Sequence, residues 1–132
     1  MTTSSKARFP ARRKPTFILR LPYPPSINNY YGVTRSGKRF IGKEGQEYRR
    51  VVVEALREIP ESNQTLTGRL QVWVEAWMPD RRKRDLDNIK KALLDSMTHA
   101  GVYEDDSQID DLRSVRRDVV KGGYVIVHVC EL

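Results

Sequence analysis

Four consecutive cations that run straight into two acids mark the part of this sequence best equipped for chemistry: Pro79-Asp80-Arg81-Arg82-Lys83-Arg84-Asp85-Leu86-Asp87-Asn88-Ile89-Lys90-Lys91. Asp85 stands where the N-cap of a following helix is expected, and Asp87 falls in its first turn. A second acidic run, Glu104-Asp105-Asp106, lies beyond that helix and ahead of a strand beginning near Ile109. If that strand runs beside the one at 70–78, its leading loop returns toward Asp85 and three carboxylates converge. A site of oxygen ligands alone suits Mg²⁺ or Mn²⁺. A carboxylate-held divalent ion beside cationic side chains is the chemistry of phosphodiester hydrolysis. The ion activates water and stabilises developing charge, while a lysine positions the phosphate or protonates the leaving oxygen.

The same residues also have a purely structural explanation. Aspartate is a favoured N-cap, and a carboxylate near a helix N-terminus gains about 0.3–1 kcal/mol from the helix dipole. Lys91 stands one turn after Asp87, where an i,i+4 ion pair contributes about 0.2–0.5 kcal/mol. Arg81, Arg82, Lys83 and Arg84, taken alone, describe a solvated charged loop as well as a phosphate-binding wall. Set beside a candidate metal site, the wall becomes the better description, since a cationic rim draws in a polyanion.

The charge distribution is uneven. The chain has 132 residues, a length suited to one domain, and a formal net charge of +7. Residues 1–15 hold Lys6, Arg8, Arg12, Arg13 and Lys14 and no acid, which leaves only +2 for the remainder. That segment reads as a flexible basic N-terminal arm ahead of a single domain at 16–132. Within the domain a second basic set, Arg113, Arg116, Arg117 and Lys121, follows the first. Arg116 and Lys121 are candidate nucleic-acid contacts, with Asn28 and Tyr30 from an aromatic, asparagine-rich segment near the start. Cys130 is the only cysteine, so no internal disulfide is expected, and a reducing cytoplasm suits the chain. With two histidines, His99 and His128, a Cys/His zinc site is nearly excluded. No stretch approaches the roughly 20 apolar residues of a membrane span, no secretory signal is expected, and nothing points to a small-molecule cofactor.

The elements that must position these residues follow from periodicity and punctuation. Thr16–Leu21 reads as a strand stopped by Pro22, Pro24 and Pro25. Ser26–Gly32 reads as a loop in which Tyr30 and Tyr31 are available for stacking on bases, and a turn or hairpin is expected at Ser36-Gly37. Apolar positions at helical spacing predict a helix from Lys43 to Ile59, ended by Pro60. Leu70–Met78 is a strand carrying Trp73 and Trp77 on one face, as core or dimer interface. A second helix runs from Asp85 to Ala100, with Leu86, Ile89, Leu93, Met97 and Ala100 as its apolar stripe and Lys90 close to it. Two strands, 109–119 and 124–130, are joined by Lys121-Gly122-Gly123 as a hairpin turn. His128 and Cys130 read as structural residues, and His99 as a C-terminal cap. The order β-α-β-α-β-β predicts an α+β fold of two layers, a mixed sheet with both helices mainly on one face.

At this point the pattern resembles a known family. Asp85-Leu86-Asp87-Asn88, then Lys91, then Asp105-Asp106 about one helix later, is similar to the RusA-type Holliday junction resolvases. The opening Leu21-Pro22-Tyr23-Pro24-Pro25-Ser26-Ile27-Asn28, the Met78-Pro79-Asp80 step and Lys121-Gly122-Gly123 before the last strand resemble them too, in collinear order over 16–131. The resemblance implies a Mg²⁺-dependent homodimeric endonuclease that cuts two strands of branched, four-way DNA symmetrically in recombination and repair. Carried over by position, Asp85, Asp87 and Asp106 are the catalytic metal-binding acids and Lys91 the catalytic lysine. Asp105 is the alternative third ligand if the register shifts by one, and Asn88 supports the acids. Two other readings stand beside this one: a junction-binding protein without catalysis, and a metal-dependent nuclease acting on flaps, forks or RNA.

Overall fold

The computed structural model describes residues 15–132, so the basic arm lies outside the described residues except for Pro15. The first strand, β1 (Phe17–Pro22), alternates strictly, with Phe17, Leu19 and Leu21 buried. It lies at a sheet edge, where the missing N–H of Pro22 is tolerated. The segment expected as a plain loop contains one helical turn, α1 (Ile27–Tyr30). A small hairpin follows, β2 (Tyr31–Val33) and β3 (Arg39–Ile41), turning at Gly37 with positive φ. Helix α2 (Lys43–Leu56) buries Gly45, Tyr48, Val52 and Leu56. It stops short of the expected Ile59 because the next amide groups tighten into i→i−3 bonds, and Ser62 Oγ donates to the carbonyls of Leu56 and Ile59 at 2.9 and 2.8 Å.

Strand β4 (Leu70–Trp77) occupies the interior of a four-stranded sheet. The predicted second helix is in two parts, a 3₁₀ turn over Leu86–Ile89 and then α3 (Lys90–His99). Strands β5 (Ile109–Arg116) and β6 (Tyr124–Glu131) complete the sheet in the order β1-β6-β4-β5. β5 is parallel to β4, while β6 is antiparallel to both β4 and β1. The mixed α+β sheet expected from the sequence is therefore present, with additional short elements. Val72, Val74 and Ala76 from β4 and Val125, Val127 and Val129 from β6 meet Tyr48, Val52, Leu93 and Met97 of α2 and α3 on one face. Burial of each larger aliphatic side chain here contributes about 1.5–3 kcal/mol.

The expected hairpin at Lys121-Gly122-Gly123 is corrected by this topology. β5 and β6 are not paired with each other; β4 lies between them. Their connection crosses the end of β4, with Arg117 N–H donating to Ala76 O at 2.8 Å and Val120 N–H to Met78 O at 2.9 Å. The crossing brings Gly123 so near that a Cβ there would stand 2.8 Å from Trp77 O and 2.9 Å from Pro79 N, at φ +64°.

Gly123→Ala is thus expected to lower unfolding stability by about 1–3 kcal/mol. Gly122→Ala, strained at φ +84° but with no atom within 4 Å of the added carbon, should cost about 1 kcal/mol. Urea unfolding of the two variants checks this, and equal losses would count against the crossing.

Candidate active site

The acids expected to carry chemistry take little part in holding the fold together. Asp85 has extended N-cap geometry, φ −88° and ψ 140°, but its side chain makes no capping hydrogen bond. Asp87 lies in the 3₁₀ turn with its side chain 84% exposed. Its ion-pair partner is Lys90, three residues on, with Nζ 2.9 Å from Oδ1, and not the expected Lys91. The tight turn shifts the pairing from i,i+4 to i,i+3, which also takes the Lys90 ammonium out of the apolar stripe. Lys91 is exposed and forms no ion pair among the described residues.

Asp105 and Asp106 separate cleanly. Asp105 is an N-cap: its carboxylate accepts from Ser107 N–H at 2.9 Å, and Gln108 Oε1 accepts in return from Asp105 N–H at 2.9 Å. These bonds from Ser107 hold the Asp105 carboxyl below the usual carboxylate range. Asp106, half-buried, makes no side-chain hydrogen bond or ion pair among the described residues. The capping box therefore occupies Asp105 and leaves Asp106 available.

The expected adjacency of the two strands is present, but the return of the Asp106 loop to the Asp85 end is corrected, because the strands run parallel. β4 leads out past Trp77 to Asp85, whereas Asp106 leads into β5 at the end where Ile109 is registered with Leu70. Helix α3 bridges the two ends. The 3₁₀ turn at Leu86 packs on β5, the turn at Asp106 packs on α3, and the Lys91 charge reaches Asp105. Among the described residues no group of three or more His, Cys, Asp or Glu side chains closes on one point. Asp85 and Asp87 thus stand as a pair at the helix mouth, and Asp106 stands in the turn that leads into β5. Mg²⁺ commonly takes one or two carboxylates and completes its octahedron with waters and phosphate oxygens. Asp85 and Asp106, without side-chain partners among the described residues, and Asp87, with only its exposed Lys90 pair, are hard oxygen donors of the kind such an ion takes.

The basic stretch is more organised than a solvated loop. Asp80 accepts from Arg82 N–H at 2.9 Å and from Arg82 Nη2 at 3.2 Å. It also holds the Arg84 guanidinium through both Nη atoms. The Arg84 bonds, then the Arg82 amide, pull the Asp80 carboxyl far below its usual range. Arg116 Nη2 donates to Arg84 O at 2.7 Å, tying β5 to the same stretch. Arg81, Lys83 and Lys121 are exposed. The rest of the second basic set is otherwise engaged. Arg117 is buried with Nη2 3.0 Å from Glu75, and Arg113 pairs with Asp111 and lies over Trp73. Asp80 is a site residue missed from the sequence, although its spacing two and four residues before Arg82 and Arg84 was the available signal.

Tyr30 is corrected from a base-stacking candidate to a buried brace. It is 0% exposed, and its hydroxyl donates to Asp95 of α3. Arg49 of α2 donates to the Tyr30 oxygen at 2.9 Å and to Asp95 Oδ2 at 2.7 Å. Tyr31 packs edge-on against Tyr30 and lies under Arg39. Asn28 and Asn29 remain exposed at the outer side of this turn. His128 Nε2 is 2.6 Å from Glu75 Oε2 and Cys130 is buried, both as structural residues. His99 ends α3, its Nδ1 3.4 Å from Arg49 Nη1.

Comparison with known proteins places the chain among named relatives. The family model described as Endodeoxyribonuclease RusA matches residues 22–129. The chain is 46% identical over 112 residues to a crossover junction endodeoxyribonuclease of Enterobacteria phage HK97, covering 85% of this chain and 92% of that protein. It is 40% identical over 121 residues to the protein of the same name in Escherichia coli K12, covering 89% and 96%. The corresponding protein of Enterobacteria phage 82 is likewise 40% identical, with the same coverage. Asp85, Asp87, Lys91 and Asp106 all lie inside the matched residues.

The brace generates a pH-dependent prediction. Burial raises the Asp95 carboxyl, but bonds from Tyr30 and Arg49, with the Arg49 and Lys91 charges, outweigh it and hold it below the usual carboxylate range. A depressed native pKa contributes stability that is full above about pH 4 and lost as pH falls further. Asp95→Asn should cost about 1–3 kcal/mol near neutrality. The gap to wild type should narrow as pH falls through and below the usual carboxylate range, and unfolding curves across pH 2–7 check it.

Proposed function

The chain belongs to the RusA family of crossover junction endodeoxyribonucleases, hydrolases of phosphodiester bonds whose chemistry requires a divalent metal ion; from that premise we propose that it resolves four-way DNA junctions with Mg²⁺ held by Asp85, Asp87 and Asp106. The single observation that carries this reading is the division among the acids. Asp80, Asp95 and Asp105 are committed to hydrogen bonds that organise the site, while Asp85 and Asp106 are committed to none among the described residues. Asp87 has only an exposed pair with Lys90, worth about 0–1 kcal/mol and readily given up.

When bound, the ion supplies charge stabilisation for the phosphoryl oxygens and acidifies the attacking water. The chain's own groups supply the rest. Lys91, unpaired on the first turn of α3, donates to the scissile phosphate or hands a proton to the leaving oxygen. Arg81 and Lys83 face solvent and neutralise flanking phosphates. Arg82 and Arg84, splayed on Asp80, present fixed donors with little rotamer entropy left to lose. Mn²⁺ is the expected substitute ion, because it accepts the same hard oxygens.

A second copy of the chain belongs to the proposal, since paired cuts across a junction call for two sites. The face of the sheet turned away from α2 and α3 supports it. That face carries Trp73 and Trp77, the latter stacked on Tyr124 at 4.5 Å, and half-exposed Ile18. No helix among the described residues is long and apolar enough to cross a membrane. A DNA substrate and a lone free cysteine support a cytoplasmic location.

Binding and cutting of a synthetic four-way junction by single variants test the assignment. Asp85→Asn, Asp87→Asn and Asp106→Asn should each lower the cutting rate at least about a hundredfold, by loss of a metal ligand, while binding stays within a few-fold. Asp105→Asn should keep cutting, because its carboxylate serves only the cap. The reverse order for positions 105 and 106 would exchange their roles.

A further inference from the structure

A pocket of about 360 Å³ opens between the Tyr23–Asn29 segment and the basic stretch. Its walls include Tyr23, Ser26, Asn29, Arg82, Arg84 and Asn88. This volume is at the lower end for small-molecule sites, large enough for one nucleotide and far too small for a duplex. Asn88 directly follows Asp87, so the pocket adjoins the proposed metal-binding acids.

The lining sorts into two chemistries. Arg82 and Arg84 share the single carboxylate of Asp80, so one positive charge remains uncompensated at this wall. That balance suits a phosphate. Asn29, Asn88 and Ser26 instead offer carboxamide and hydroxyl groups, each able to donate and accept. Such groups read the edge of a base, and no charge is needed for that. Tyr23 supplies an aromatic surface, its hydroxyl turned away to Met78 Sδ at 3.1 Å. A base edge is reachable inside a pocket only when the base is unpaired. At the centre of a four-way junction, unpairing is least costly.

We infer that this pocket binds one unstacked nucleotide of the strand being cut, its phosphate on Arg82 and Arg84 and its base edge on Asn29 and Asn88, and thereby sets the base preference of cleavage. The inference rests on the nuclease reading given above and adds to it a place where sequence is read. Asn29 is exposed, and no structural bond depends on its side chain among the described residues, so its variants are expected to fold.

The test uses four-way junctions carrying 2-aminopurine at successive positions around the branch point, bound in EDTA so that no cutting is needed. Wild type should raise fluorescence severalfold at one position, and Asn29→Ala should abolish the rise while junction affinity stays within about twofold, since phosphates dominate affinity. In parallel, junctions with randomised cores are cut in Mg²⁺ and the products sequenced. Asn29→Ala should flatten the ratio between best and worst bases by about tenfold, and Asn29→Asp should shift it toward cytosine, whose amino group a carboxylate accepts from. An unchanged base ratio in both variants, or fluorescence that is the same at every position, overturns the pocket. A position-specific rise without any cutting would leave the pocket standing and overturn the nuclease reading, whereas failure to bind junctions at all would overturn both.

Discussion

The carboxylate of Asp95 is the contact on which the rest of the site depends. It receives the Tyr30 hydroxyl from α1 and the Arg49 guanidinium from α2, and so draws three helices into fixed relation. Tyr30 is fully buried by this arrangement, and Gly45 lets the first turn of α2 lie directly on the Tyr30 carbonyl, where a Cβ would come within 2.4 Å. With α1 held there, the proline-rich segment after β1 is set against the turn that carries Asp87 and Asn88. Charged, hydrogen-bonded and only partly exposed, the brace is of the kind whose loss costs several times more than that of a surface ion pair.

A division of labour among the acids follows. Those spent on hydrogen bonds build the site: Asp80 arranges two arginines, Asp95 joins the helices, and Asp105 starts the turn before β5. Asp85 and Asp106 add nothing to folding that the structure displays. Asp85 follows a row of cations at the start of the turn that leads into α3, and its carboxylate is left open to solvent there. The parallel pairing of β4 with β5 puts Asp85 and Asp106 at opposite ends of the strand pair, and α3 spans from one to the other.

Much of this was legible in the residues themselves. The strands β1 and β4 and the helical stripe of α2 are local signals, and each appears in the structure at or near its expected place; the meeting of Asp106 with Asp85 and Asp87 depends on strand direction, which no local signal carries. Three other features were not legible. Insertion of β6 between β1 and β4 is a choice of partner, and period-2 alternation specifies a face but not a neighbour. Tyr30 sits among prolines and asparagines and reads as loop, because its burial depends on Asp95, 65 residues away. The 3₁₀ start before α3 changed the partner of Asp87 by one residue, a shift that helical periodicity is too coarse to resolve. The register of the third acid was left open between 105 and 106, and the capping box at Asp105 supports Asp106.

The central claim is that free carboxylates at the mouth of α3 cut branched DNA with a divalent ion. Its most direct test maps the products of wild-type protein on a mobile four-way junction, in Mg²⁺, in EDTA, and in EDTA followed by excess Mg²⁺, with linear duplex alongside. Paired nicks at symmetric positions in opposing strands are expected, absent in EDTA, restored by Mg²⁺ and scarce on the duplex. Folded protein that binds the junction and leaves both strands intact in Mg²⁺ would contradict it.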